Sequence, residues 1–435
     1  MADHCYQPSK SASRHHRQGW LLDRVHQRVV EERISCRGSE GVLLIDGWTN
    51  SSANTKNVVC TIHTVNSKSI FLKSWDLTGI GETADQLKNI VEEGIDLAKV
   101  KFNITIYAVV SDNASAMVAM GNKVNIWHTT CHSHSGNLLA KALVLKELTQ
   151  KVNKLLREFK APGAEHHLKK LGGSRIILAG ETRWCSYRDA FRCLSKNLHF
   201  MKTLIETKTI TLSKESETLL RDPSFECELL DNILIFDPIC ELMNVCQGSH
   251  CSLSEGCEEW LKLAIPTVNN DLQELLEKRF KKVLTPIMLT SNFLNPKYRG
   301  KRFINDEEKM AMVTHFIMQE LNLDKITKES GFFAYQNNTN IFKKLMERNM
   351  DQTPETLWTT AAPFYPELSA LAVKLLRIPA ASAQLERLFS SWAFVHSDLR
   401  NRLTVDRSMK LVDIYYSLKM NELYEHCYDD LMDSD

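Results

Sequence analysis

The chain is 435 residues long, with 54 Lys and Arg against 53 Asp and Glu and a net charge of +1. The simplest electrostatic signature of a nucleic-acid binder is therefore absent, and any DNA contact must come from local patches. Its 43% hydrophobic and 25% charged residues exclude a largely disordered chain, and the length leaves room for two to three packed domains. No apolar run is long enough to span a bilayer and the start, MADHCYQPSK, lacks an apolar signal region, so neither export nor membrane association is expected.

Residues 1–40 read as a helical or irregular segment with one helix from about Trp20 to Ser35. The pattern then changes to short runs rich in β-branched and aromatic residues, GVLLIDGW (41–48), NVVCTIHTV (57–65) and SIFLKSWDL (69–77), punctuated by Asn and Ser, which predicts three strands joined by tight turns. Between Ala84 and Lys99, Leu87, Ile90, Val91, Ile95 and Ala98 recur near helical spacing. The continuous apolar run ITIYAVV (104–110) then predicts a strand buried on both faces, and with it a mixed α/β sheet.

From about Ser135 to Lys374 the periodicity is helical, with no further strand cluster and no repeat of fixed period. After Pro379, Leu385, Leu388, Phe389 and Trp392 fall at i, i+3, i+4 and i+7, one stripe of an amphipathic helix, and a further helix is expected at about Val405–Leu418. Charges after Lys419 are all acidic, which reads as a solvated tail. The twelve cysteines are scattered without a C-x2-C pair, so free thiols in a reducing compartment are expected rather than a zinc finger or a disulfide framework.

Two of the apolar runs end in an aspartate, Asp46 and Asp112. On neighbouring strands about 4.8 Å apart, two such carboxylates can share divalent ions, and an oxygen-rich site suits Mg2+ or Mn2+ rather than zinc. The alternative is that each opens a turn and accepts hydrogen bonds from the following amides, for which Gly47 and Asn113 are suitable sequels. A third carboxylate, Glu386, sits one position past the apolar stripe of its helix, where it either borders a sheet-edge site or makes an ordinary ion pair.

Four segments, LLIDGWTN (43–50), VVSDNASAM (109–117), ETRWCSYRDA (181–190) and IPAASAQLERLFS (378–390), together resemble the hAT superfamily of cut-and-paste transposases, and NFLNPKYRG (292–300) is similar to a motif of that family's helical domain. The resemblance runs from about residue 41 to 420. It implies an RNase H-like core (first part 41–145) interrupted by an all-helical insertion (146–374) and completed by a helix and a C-terminal dimerisation region (375–420), ahead of the acidic tail at 421–435.

By the same resemblance the family's acidic triad falls on Asp46, Asp112 and Glu386, which would hold two divalent ions, Mg2+ or Mn2+, for cleavage and transfer of double-stranded DNA. Arg183 and Trp184 match the family's Arg–Trp pair, whose tryptophan stacks on a flipped base; the alternative for Trp184 is a core position. Cys131 and His134 match its C-x2-H motif, which cannot close a zinc site alone and reads as part of the active-site rim in contact with phosphate, with His128 and His132 as either further contributors or core histidines. Lys297 and Arg299, in a basic cluster with Lys301 and Arg302, are candidate phosphate contacts; Lys278, Arg279, Lys281 and Lys282 form a second cluster, and either can serve as a nuclear import signal.

Family members usually begin with a BED-type zinc finger, whereas residues 1–40 offer only Cys5, Cys36 and scattered histidines without metal-ligand spacing. Two functions are therefore expected as alternatives. One is a nuclear, metal-dependent transposase or nuclease that works as a homodimer or higher oligomer. The other is a catalytically silent, domesticated relative that keeps the fold to dimerise and bind nucleic acid or protein.

Overall fold

The computed structural model describes residues 14–32, 38–50, 55–64, 69–180, 185–266, 270–327, 329–348, 353–395 and 407–418. They form a mixed α/β fold with one five-stranded mixed sheet and many helices. The N-terminal elements are α1 (Arg14–Glu32), β1 (Glu40–Asn50), β2 (Thr55–Thr64), β3 (Ser69–Asp76), α2 (Ala84–Phe102), β4 (Thr105–Ser111), α3 (Ser115–Gly121) and β5 (Trp127–Thr130). A helical run follows: α4 (His132–Leu143), α5 (Lys146–Phe159), α6 (Pro162–Lys170), α7 (Ser186–Glu206), α8 (Lys214–Arg221), α9 (Pro223–Cys246), α10 (Leu253–Lys262) and α11 (Asn270–Val283). It continues through α12 (Pro286–Leu294), α13 (Glu307–Glu320), α14 (Phe332–Gln336), α15 (Asn340–Arg348), α16 (Pro354–Ala361) and α17 (Pro366–Leu376). α18 (Ala383–Val395) and a helical stretch at 407–418 close the described chain.

Two compact units divide these elements: a strand-bearing unit of Met1–Cys131, Gly248–Ser252 and Arg377–Asp435, and a helical unit of His132–Gln247 and Leu253–Leu376. In the strand-bearing unit the sheet order is β3-β2-β1-β4-β5. β1, β2 and β3 pair antiparallel, whereas β4 lies parallel to β1 and β5 parallel to β4. α2 makes the crossover from β3 to β4 and packs Leu87, Ile90, Val91, Ala98 and Phe102 on one face of the sheet, against Leu43, Ile45, Val58, Cys60 and Ile62. A Thr83–Gln86 capping box starts this helix and Asn103, at φ 52°, ends it.

Side chains alternate across a strand, so the residues between those of the α2 layer, Leu44, Asp46 and Trp48, point to the opposite face. α18 packs there, on β1 and β2. Trp48 stacks on Phe389 with ring centroids 5.7 Å apart and planes 7° from parallel, and meets Trp392 at 5.3 Å; Phe71 of β3 meets Trp392 edge-on at 6.4 Å. Gln384 Nε2 lies 3.1 Å from Nδ1 of the buried His63, which burial keeps neutral with its pKa lowered to about 4. The segment before α18 is pinned where Ala380 N donates to Cys251 O at 2.9 Å beside an isolated Ser252–Pro379 bridge. The 407–418 helix is tied to α1 by His26–Asp413 (2.8 Å) and Asp23–Lys410 (2.9 Å), and to β3 by Tyr416 Oη donating to Ser69 Oγ.

The helical unit is built around α9, against which α4 and α7 pack. Gly136 allows the close approach of α4, since a Cβ there would lie 2.6 Å from Met243 Cγ. A second core gathers Phe293, Phe332, Tyr335, Phe342 and Trp358, with Trp358 Nε1 donating to Leu294 O at 2.7 Å.

Two local expectations change. Asp46–Gly47 is not a turn: β1 runs on to Asn50 because β2 pairs with it as far as Asn50–Thr55. β5 is a further strand. Its four residues are too few to show alternation, and what makes it a strand is its pairing with Ala108–Ser111 of β4, where Trp127 meets Tyr107 edge-on at 5.9 Å.

Candidate functional site

The parallel pairing of β1 with β4 ends at Ile45–Ser111, so Asp46 on β1 and Asp112, just past the end of β4, follow the last pair of two neighbouring strands. Asp46 shares its face of the sheet with α18, in whose first turn Glu386 lies. Asp46 feels the other two carboxylates. Asp46 is held well above the usual carboxylate range first by burial, then by the charges of Asp112 and Glu386, with Glu82 adding to them and the Gly47 amide opposing. Glu386 is pushed up to about 7 by burial, against the pull of Arg387.

Asp112 is fixed from below. Its Oδ1 accepts the Ala114 amide at 3.0 Å where α3 begins, and Ser111 Oγ donates to its carbonyl at 2.9 Å and lies 2.8 Å from His128 Nε2. The turn-type hydrogen bond expected at both aspartates is thus made by Asp112 while it also stands beside Asp46. His128 is half-buried on β5, and desolvation lowers its pKa to about 4, so it stands neutral beside Ser111. Gly121 of α3 packs against its ring, where a Cβ would come within 1.9 Å of Nδ1. Glu82, which no spacing in the sequence marks, stands against Gly47 and pairs with Lys56 at 2.7 Å.

An all-oxygen donor set in which Asp46 is raised by its acidic neighbours suits a hard divalent cation, whose charge would relieve that repulsion. As the side chains stand, no group of three His, Cys, Asp or Glu among the described residues is gathered closely enough to hold a metal ion. The donors fit an ion in chemistry, and carboxylate movement would have to complete the cage.

The other candidates are dispersed. Cys131 is buried beside Ala381 and Ala383, its amide bonded to Ser111 O at 2.7 Å, in the strand-bearing unit. His134 lies half-buried on α4 of the helical unit. His132 is buried with neither ring nitrogen hydrogen-bonded and its pKa lowered to about 4. Arg183 and Trp184 lie outside the described residues. Lys297 is exposed, its ammonium 5.3 Å from the Tyr298 ring. Arg299, at φ 54°, donates to the carbonyls of Tyr335 (2.9 Å) and Gln336 (3.2 Å) and lies over the Tyr335 ring, so its guanidinium ties the second helical core together. In the same motif Asn292 and Asn295 bond Ser254 and Glu258, and just past it Arg302 pairs with Glu258 at 2.6 Å.

The raised protonation of Asp46 and Glu386 has a thermodynamic consequence. In an unfolded chain such groups titrate near ~4, so the folded protein holds their protons to higher pH than the unfolded one does. Stability is therefore greatest below that value and falls as pH rises through about 7 for Glu386. The melting temperature is expected to decline between pH 5 and pH 8, and Glu386→Gln to flatten that decline. Equal slopes for the two proteins in a calorimetric series would show that Glu386 is not held protonated.

Comparison with protein families adds two matches. Residues 12–161, which include β1 to β5 with Asp46 and Asp112, match a domain of unknown function (DUF659). Residues 340–417, which include α18 with Glu386, match the hAT family C-terminal dimerisation region. No curated protein is detectably similar to the chain.

Proposed function

Given that the chain is an hAT-family transposase-like protein, we propose that its strand-bearing unit is an RNase H-like core that cleaves double-stranded DNA with Asp46, Asp112 and Glu386. The observation that carries this reading is that Asp46 lies within electrostatic reach of both other carboxylates, each of which raises its pKa although they arrive on separate elements. The mixed sheet, with two of the acids at the same end of adjacent parallel strands and the third on a helix that returns late in the chain, supports it.

Asp46, Asp112 and Glu386 would hold Mg2+ or Mn2+. Such ions, when bound, stabilise the attacking and the leaving oxygen of an in-line displacement at phosphorus. In the first step a water oxygen bonds to the scissile phosphorus and the 3′-oxygen leaves, taking a proton to become a 3′-hydroxyl. That hydroxyl then attacks the opposite strand, a second 3′-oxygen leaves with a proton, and the flanking DNA closes as a hairpin. The excised 3′ end joins target DNA by the same displacement. The chain's own contribution is placement: β1 and β4 set two carboxylates in adjacent register, and the Trp48–Phe389–Trp392 stack seats the helix that carries the third.

On this reading 146–374 is the helical insertion, Trp184 with Arg183 stacks on a flipped base, Cys131 and His134 belong to the rim of the site, and Lys297 lies toward phosphate, while Arg299, bound to the carbonyls of Tyr335 and Gln336, keeps a structural role. The match at 340–417 supports self-association, and a chromosomal DNA substrate implies work in the nucleus. No helix of the described residues is long and apolar enough to cross a membrane.

The test is cleavage of supercoiled plasmid by purified protein with Mn2+, beside Asp112→Asn and Glu386→Gln. Nicking by wild type that both variants lose is the expected result. Absence of nicking in folded wild-type protein would overturn the reading in favour of a catalytically silent relative that dimerises and binds partners. The open spacing of the carboxylates is the observation that favours that second reading.

A further inference from the structure

α5 is two-faced. Leu148, Val152, Leu155, Leu156 and Phe159 are buried, while Lys146, Gln150, Asn153 and Arg157, at i, i+4, i+7 and i+11, form a polar stripe on another side. That stripe is one wall of a cleft of about 590 Å³ in the helical unit, completed by Lys141 of α4, Tyr187 of α7 and the backbone of Ala179 and Gly180. Among the described residues three cations line the cleft and no carboxylate does.

Lys141, Lys146 and Arg157 are exposed and take part in no ion pair among the described residues, whereas Lys154 on the same helix is paired with Glu215. The opposite wall is held in place. Asn153 bonds Ala179 at both backbone groups (2.9 and 3.1 Å), and Ser186 Oγ bonds both the amide and the carbonyl of Gly180. In a protein of net charge +1, a built cleft with three free cations is a local anion track.

The spacing indicates what fits. From Lys146 to Arg157 the helix rises about 16 Å, the axial length of about five nucleotides at ~3.4 Å each. A single small anion would leave most of that length empty, whereas a polymer of regularly spaced phosphates engages all of it. Tyr187 adds a ring and a hydroxyl at one side, and a cationic groove with an aromatic wall is the arrangement that tracks a nucleic-acid strand without reading its sequence.

We propose that the cleft between α5, Tyr187 and the Ala179–Gly180 wall is a binding track for the phosphodiester backbone of DNA, with Lys141, Lys146 and Arg157 as its phosphate contacts. The proposal rests on the reading of the chain as a DNA-handling protein but not on catalysis. It supplies a local patch that the balanced net charge requires and that neither of the basic clusters noted in the sequence includes.

Fluorescein-labelled single-stranded and duplex 20-mers, titrated by anisotropy across a salt series, test it. Three phosphate contacts at a slope of about 0.7 each predict that the triple variant K141A/K146A/R157A binds roughly 50-fold more weakly near 0.15 M salt, with a salt slope shallower by about 2. Lys154→Ala is expected to bind as wild type. The arm with the larger loss identifies whether the track takes a single strand or a duplex. Wild-type affinity and slope in the triple variant, or no binding of either DNA by wild type, would overturn the proposal. Asp112→Asn separates it from the cleavage reading: cleft-dependent binding in a protein that never nicks upholds the track and removes the catalysis, whereas nicking with unaltered binding in the triple variant does the reverse.

Discussion

Trp392→Ala is expected to destabilise the strand-bearing unit by about 3–5 kcal/mol, the usual range for truncating a buried tryptophan. Trp392 is 3% exposed and its ring touches both Trp48 and Phe71. Removing it empties the space between α18 and the β1–β2–β3 side of the sheet and loses aromatic pairing worth about 0.5–1.5 kcal/mol beyond the area. The His63–Gln384 hydrogen bond on the same helix contributes about 1 kcal/mol by comparison, so the aromatic stack and not the polar latch holds α18. Hydrogen exchange at the β1 and β2 amides together with urea unfolding checks this, and a loss below about 1 kcal/mol would mean that α18 is held elsewhere. If Glu386 works as proposed, Trp392→Ala also lowers nicking without touching a carboxylate, because the helix that aims Glu386 is loosened.

In the helical unit the corresponding position is Trp358. It is fully buried, 4.7 Å from Tyr335 and 5.4 Å from Phe342 by ring centroids, and its indole N–H satisfies Leu294 O at 2.7 Å. Trp358→Ala is expected to cost about 3–5 kcal/mol for the lost ring and about 1–3 kcal/mol more for a buried carbonyl left unpaired. Trp358→Phe separates the two contributions, since it keeps most of the ring and removes the donor, and about 1–3 kcal/mol is expected for it. The effect should appear in the exchange of α12 and α14 to α17 amides. A phenylalanine variant as stable as wild type would show that the Leu294 carbonyl finds another donor. Arg299 closes the same core through the carbonyls of Tyr335 and Gln336, which accounts for the arginine of NFLNPKYRG without any ligand.

Much of the candidate site is legible in short stretches of the chain. LLIDGW and VVSDNA place an aspartate after a buried β run, and the stripe Leu385–Leu388–Phe389–Trp392 is a helix face in any window long enough to show its period. What cannot be read there is equally particular. The charge of Glu82 acts on Asp46 from the loop before α2, His128 bonds Ser111 beside Asp112 from a four-residue strand, and Arg299, which looks like a free surface cation, is spent on two carbonyls. The polar stripe of α5 is visible as spacing, but only Lys141, Tyr187 and the Ala179–Gly180 wall make it a cleft.

Sequence by itself determined four of the five strands and most of the helices, where two of the three acids sit, and the hAT-type character of the C-terminal region, because burial periodicity and motif chemistry are properties of short stretches. Only the tertiary structure decided that Asp46 and Asp112 each follow the last parallel pair of β1 with β4, that the charge of Glu386 reaches Asp46 from far along the chain, and which cations are already spent. Those outcomes depend on strand pairing and on the packing of Trp48 against Phe389 and Trp392, and the free energy of such contacts is set by which surfaces meet in space rather than by any local run of residues.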